Sequence, residues 1–192
     1  VVESVIRNFP WPKSMRWGTG TAQWVRPLQS ILCLLGGKVV PLEWAGIASG
    51  DTTRGHRFLG PESFAVKNFA DYEAKLEKHR VILDSAMRAA AIGEQARALA
   101  KAAKLELVED EALLNENAGL NEWPVVLMGS FDKEFLSVPA ECLMTSMKAH
   151  QKCFSLKDPK TGKLANRFLM VSNLTSSDGG AANAVVVNQA FV

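Results

Sequence analysis

The sequence predicts an α+β fold of mixed helices and largely antiparallel strands, on three observations. Residues 70–105 carry an amphipathic, Ala-rich helical pattern. Apolar runs flank Gly36-Gly37, and further runs flank the polar turn Asp158–Gly162; both arrangements are hairpin signatures. Helices and strands are otherwise interspersed without the regular rhythm of a doubly wound sheet. At 192 residues and 47% hydrophobic, the chain is long enough to bury a substantial core. The expectation is one α+β region over 1–192, with a helical subregion at about 69–121.

Each element has a local reason. Val1–Asn8 reads as a short helix or a fraying end, and Phe9-Pro10-Trp11-Pro12 cannot continue it, because each proline pushes its predecessor into extended geometry. Gln23–Pro27 is extended. Ser30–Leu35 and Lys38–Trp44 form the strands on either side of Gly36-Gly37, with Pro41 marking an edge or bulge. Asp71 is expected to cap a helix running through His79, and Asp84 a second, Ala-rich helix that Gly93 interrupts at about 1 kcal/mol relative to Ala. Arg88, Arg97, Lys101 and Lys104 read as its solvated face. Glu109–Asn121 is an acidic helix ending near Gly119, and Trp123–Phe131 a buried strand. Pro139 suits the first turn of a helix whose apolar stripe holds Leu143, Met144 and Met147. A strand pair follows, Cys153–Leu156 and Arg167–Val171, and then a Ser/Gly/Ala-rich tail over Thr175–Ala182.

Charge and composition exclude several classes. Lys and Arg total 22 against 20 Asp and Glu, so the net charge of +2 does not mark a nucleic-acid binder, and any basic surface must come from local clustering. Cys33, Cys142 and Cys153 show neither a CxxC nor a Cys/His ligand spacing, which favours reduced thiols and no metal. No apolar run approaches the roughly 18 residues of a membrane span, and no signal peptide is visible. The opening on Val1 and the ending on Phe191-Val192 suggest a piece of a longer protein.

Three stretches concentrate chemistry. Lys13–Gly18 interleaves Lys13 and Arg16 with Trp17, a pattern that can pair and stack with a nucleic-acid strand or cap a core with its aromatics. Ser49–Pro61, SGDTTRGHRFLGP, combines glycines at 50, 55 and 60 with Arg54, His56 and Arg57, donors suited to phosphate. It lacks the Gly-Lys-Ser/Thr ending of a Walker loop. Metal ligation by His56 has no partner spacing, and a general-base role would need an orienting carboxylate such as Asp51. A turn stitched by Thr and Arg side chains is the structural alternative. Lys148, His150, Gln151 and Lys152 crowd a helix end, where cations complement the dipole and also suit an anion.

These stretches resemble a known family. PKSMRWG at 12–18, VRP at 25–27, SGDTTRGHRFLGP at 49–61, EWPVVLMGSFD at 122–132, VPAECLMTSMKAHQKCF at 138–154 and NRFLMVSN at 166–173 match, in order, the N-terminal half of the β subunit of bacterial tetrameric glycyl-tRNA synthetase. Cys153 departs from the pattern where an aromatic residue is expected, and Gly179–Val187 matches poorly. The resemblance implies a bacterial cytoplasmic protein serving the attachment of glycine to its tRNA. ATP and Mg2+ would be bound by the α subunit, and no cofactor, metal or catalytic residue is implied in this piece. It further implies similarity to the editing-type domain of the phenylalanyl enzyme's β subunit. The α subunit, glycine tRNA and the remaining β-subunit domains (an HD-type and an anticodon-binding domain) are the implied partners, with no membrane. On this basis Lys13, Arg16, Arg54, His56, Arg57, Lys148, His150 and Lys152 become candidate RNA contacts.

Three roles compete. The first is a non-catalytic tRNA-binding and assembly module. The second is an editing hydrolase using His56 or His150 with Thr52 or Thr53, although no triad or paired carboxylates are legible. The third is a scaffold, whose mark would be an exposed apolar patch at the Trp11/Trp17 loop or the Ile31 hairpin.

Overall fold

The computed structural model describes residues 1–175 and forms an α+β fold. The poorly matching stretch Gly179–Val187 and the tail from Ser176 onward lie outside the described residues. The chain divides into two compact units, Val1–His79 and Arg80 onward, with the boundary falling inside the expected helical stretch.

The first unit begins with helix α1 (Val2–Arg7). Short strands follow: β1 (Met15–Arg16), β2 (Gln23–Trp24), β3 (Ile31–Leu32), β4 (Leu34–Leu35), β5 (Lys38–Val39), β6 (Glu43–Trp44), β7 (Ile47–Gly50), β8 (Thr52–Arg54) and β9 (Ser63–Ala65). Helix α2 (Phe69–Lys78) closes the unit. The Gly36-Gly37 turn forms as expected, joining β4 to β5 with φ of 57° and 76°, values suited to residues without a Cβ. The runs around it are more broken than their sequence suggests. Ile31 and Leu32 leave the hairpin to pair with Ser49 and Gly50 of β7, the one parallel pairing among the described strands. Pro41, with no N–H for a ladder, separates β5 from β6. The N-cap of α2 is Asn68, not Asp71: Asn68 Oδ1 accepts from the Asp71 amide at 2.9 Å, while the Asp71 carboxylate accepts from the Lys67 amide and from Lys75 Nζ.

The second unit contains α3 (Ser85–Ala102), β10 (Glu106–Leu107), α4 (Glu111–Leu120), β11 (Val125–Ser130), α5 (Ala140–Gln151), β12 (Phe154–Lys157) and β13 (Leu164–Ser172). Its sheet runs β10-β12-β13-β11, antiparallel throughout. Alternation along β12 and β13 sends side chains to both faces. Phe154, Leu156 and Leu169 join Ile92, Ala96 and Ala100 of α3 and Leu113 of α4, while Cys153 and Phe168 join Met147 of α5. Burying side chains such as Phe168, Leu156 and Leu169, each 0% exposed, contributes about 1.5–3 kcal/mol apiece before entropy is counted.

Asp84 caps α3 as expected, accepting from the Ala86 and Met87 amides. Gly93 does not break the helix, and it is buried. Arg88 overturns the expectation of a solvated face. Its guanidinium reaches inward, Nε donating to the Ala118 carbonyl at 2.7 Å and Nη1 to the carbonyls of Ile82 and Leu83 at 2.6 and 2.8 Å. It thereby satisfies an orphan carbonyl at the end of α4. Among the described residues, no helix is long and apolar enough to cross a membrane.

Candidate nucleic-acid interface

The Gly-rich stretch at 49–61 folds around the end of α2. β8 and β9 pair antiparallel, with Arg54 opposite Ser63, and residues 55–62 form the turn between them. A Cβ on Gly55 would lie 2.3 Å from His79 Cβ, and one on Gly60 would lie 2.5 Å from the His79 carbonyl oxygen, so both positions require glycine for close approach. The His56 amide donates to that same carbonyl at 2.9 Å. His56 Nδ1 accepts from the Phe58 and Leu59 amides at 3.2 and 3.1 Å, which places the ring's proton on Nε2. The ring of His79 stacks on Phe64 at 4.4 Å.

This packing revises one candidate. His56 is 1% exposed, so its ring is a structural acceptor inside the turn and presents no surface to RNA or to a reacting carbonyl. Its neighbours point outward. Arg54 is exposed, with Nε donating to Ser63 Oγ at 3.0 Å, and exposed Arg57 lies 5.6 Å over the Phe58 ring. A polar groove of about 450 Å3 opens beside Arg54, which lines it together with Gln29, Ser30, Thr52, Thr53 and Ser63. Its lining contains no histidine, cysteine or carboxylate, so Thr52 and Thr53 do not assemble with the base that the hydrolase alternative requires.

Lys13 and Arg16 are exposed, Arg16 lying in the β1–β2 hairpin. The aromatics around them pack together. Trp24 lies 4.9 Å from Trp11 and 5.3 Å from Trp44, and Trp17 lies 6.1 Å from Trp44. The core-capping alternative therefore describes these tryptophans, and the two cations stand on the surface beside a packed aromatic cluster.

The basic end of α5 belongs to the second unit. Lys148 Nζ pairs with Asp110 Oδ2, and Lys152 Nζ with Glu116 Oε1 at 2.8 Å. Two of its three candidate groups are thus already matched to carboxylates, while His150 is exposed. Lys152 also ends the helix in the left-handed conformation, φ 55°. Asp110, the N-cap of α4, is held below its ordinary value of 3.8 by the Lys148 ammonium and then by the Leu113 amide. Burial pushes the Cys153 thiol up to about 12. At 2% exposure this position faces the core, so its departure from an aromatic removes no stacking surface. All three cysteines are free thiols.

Sequence reasoning missed Gln29, Ser30 and Ser63 as groove residues, because isolated hydroxyls and amides carry no spacing signature. The register of the β8–β9 hairpin, which sets Ser63 opposite Arg54, is the signal that finds Ser63. It also missed Asn173, whose Oδ1 accepts from the Glu122 and Trp123 amides and so ties the NRFLMVSN and EWPVVLMGSFD stretches together.

The similarities to known proteins agree with these motifs. A family profile described as glycyl-tRNA synthetase beta subunit matches residues 1–188. The chain is 58% identical over 185 residues to the glycine--tRNA ligase beta subunit of Ruegeria sp. (strain TM1040), covering 94% of this chain and 27% of that protein. It is 56% identical over 184 residues to the protein of the same name from Paracoccus denitrificans (strain Pd 1222), with 94% and 27% covered. For the protein of that name from Phenylobacterium zucineum (strain HLK1), the figures are 51% over 185 residues, 96% and 28%. The chain spans about a quarter of the length of these curated relatives, 27% or 28%. With nearly all of its residues matched by the profile and more than half identical in these relatives, the chain belongs to the glycyl-tRNA synthetase β-subunit family.

Proposed function

We propose that this chain is a non-catalytic tRNA-binding and subunit-assembly part of a glycine–tRNA ligase β subunit, working in the cytoplasm with an α subunit that carries the ATP- and Mg2+-dependent attachment of glycine. Kinship with editing-type domains belongs to the same reading. One observation carries the RNA-binding role. The exposed cations of the first unit, Lys13, Arg16, Arg54 and Arg57, have no carboxylate partner among the described residues, whereas Lys148 and Lys152 do. Cations without an acidic neighbour keep their full charge for phosphate. Lys148 and Lys152 are secondary contacts that would exchange a carboxylate for a phosphate, and exposed His150 is a further secondary contact.

Fluorescence anisotropy of the chain with labelled glycine tRNA, across a salt series and beside a non-cognate tRNA, tests this. Binding that weakens steeply with salt, and weakens further in Arg54→Glu, is expected. Salt-independent binding, or none at low salt, overturns the reading.

A scaffold role is the second reading, and it draws on an apolar groove of about 590 Å3 lined by Leu34, Leu35, Val66, Phe69 and Tyr72 among others. Leu35, at the Ile31 hairpin where such a patch was expected, is 77% exposed, and Phe69 is 68% exposed. If Leu35→Glu abolishes association with the α subunit while tRNA affinity is unchanged, scaffold becomes the primary role.

A further inference from the structure

We infer that the groove lined by Gln29, Ser30, Thr52, Thr53, Arg54 and Ser63 is a phosphate subsite that takes the phosphate group of a nucleotide. The inference rests on the RNA-binding reading for its biological ligand but stands on the groove's own chemistry.

Every side chain in the lining can donate a hydrogen bond, and none is a carboxylate. With the Arg54 guanidinium as its one charged group, such a set favours an anion over a cation. No aromatic ring lines it either, so a sugar face or an isolated base would find no platform to stack on. The one charged group is oriented: Ser63 Oγ accepts from Arg54 Nε at 3.0 Å, and the two terminal amino groups have no partner among the described residues. A guanidinium fixed in this way presents its fork to two phosphate oxygens. The Ser30 and Thr53 hydroxyls likewise have no partner among the described residues, and Thr52 Oγ1 donates to Asp51 Oδ1 at 3.1 Å. The groove's volume of about 450 Å3 lies within the range of small-molecule sites and exceeds what a bare ion requires.

The phosphate could be a diester of an RNA strand or belong to a free nucleotide, and one experiment separates them. Inorganic phosphate, AMP and a short unpaired RNA are titrated into the 192-residue chain while amide shifts are followed by NMR. Shifts at residues 30, 52–54 and 63 are expected with all three ligands. RNA binding at least about tenfold tighter than AMP identifies the strand as the source, and equal affinities identify the free nucleotide. Arg54→Gln should weaken binding about tenfold and Thr53→Val about threefold. Arg54→Gln should also lower the salt slope for unpaired RNA by about 0.7. Arg54 is exposed and Thr53 half-buried, and an unchanged circular-dichroism melt confirms that each variant folds.

Shifts that avoid the groove, or affinities unchanged in both variants, overturn the inference. If tRNA still binds in that case, the RNA-binding reading survives without this subsite. If phosphate binds the groove and tRNA does not bind the chain, the subsite stands and the RNA-binding reading falls.

Discussion

The main-chain N–H of His56 donates to the carbonyl of His79 at 2.9 Å, fastening the Gly-rich turn after β8 to the end of α2. That bond closes a loop of more than twenty residues whose glycines and histidine look, in isolation, like an anion-binding motif. Its consequence is a division of labour within one motif: His56, Gly55 and Gly60 hold the turn, and Arg54 and Arg57 are left on the surface by it.

Gly55→Ala and Gly60→Ala should each destabilise the protein by roughly 1–3 kcal/mol or more, because the added methyl meets His79 backbone or Cβ atoms that have nowhere to move. Thermal melts measure this. Gly119→Ala is the control: a Cβ there meets nothing within 4 Å, so its melt should be unchanged or slightly raised.

Arg88→Met removes a guanidinium that satisfies the carbonyls of Ile82, Leu83 and Ala118. The expected loss is about 2–3 kcal/mol, since hydrogen bonds to a charged donor are broken and partly buried carbonyls are left unmatched. Arg97→Met, which breaks an exposed pair with Glu109, should cost about 0.5 kcal/mol or less, and urea titrations of both variants measure the two losses.

The Asp110 carboxyl, lowered in the folded state chiefly by Lys148, contributes stability that is present above its ordinary value of 3.8 and is lost as pH falls through the lower folded value. Lys148→Met raises the folded value toward the unfolded one. The drop in unfolding free energy between pH 7 and pH 3, measured by urea titration, should therefore be smaller in this variant, by about 0.5 kcal/mol for so exposed a pair. An equal drop in both proteins would show that the pair contributes nothing.

Cys153, with its thiol pushed up to about 12 by burial, should resist a thiol reagent at pH 8 until the protein unfolds, because the thiolate is the reactive species. Exposed Cys142 should react in the folded protein. Mass spectrometry of peptides from the native and denatured labelling reactions distinguishes the two sites.

Features governed by neighbouring residues were determined by the sequence itself. Asp84 caps α3 with amides two and three residues away, Gly36-Gly37 turns β4 into β5, and the alternation of β12 and β13 sets which face of the sheet each side chain takes. The family motifs are equally local and equally legible. The tertiary structure decided the rest. Ile31 and Leu32 pair with β7 instead of completing their hairpin, Arg88 turns inward to a carbonyl 30 residues away, and Lys148 meets Asp110 across 38 residues. Whether a cation is available to a phosphate depends on which carboxylate the fold brings beside it, and whether a histidine is exposed depends on which backbone packs over it. Periodicity and capping act over a few residues, but burial and ion pairing are properties of the packed chain. For that reason the sequence could nominate Arg54 and His56 together, and only their surroundings separate a surface donor from a buried acceptor.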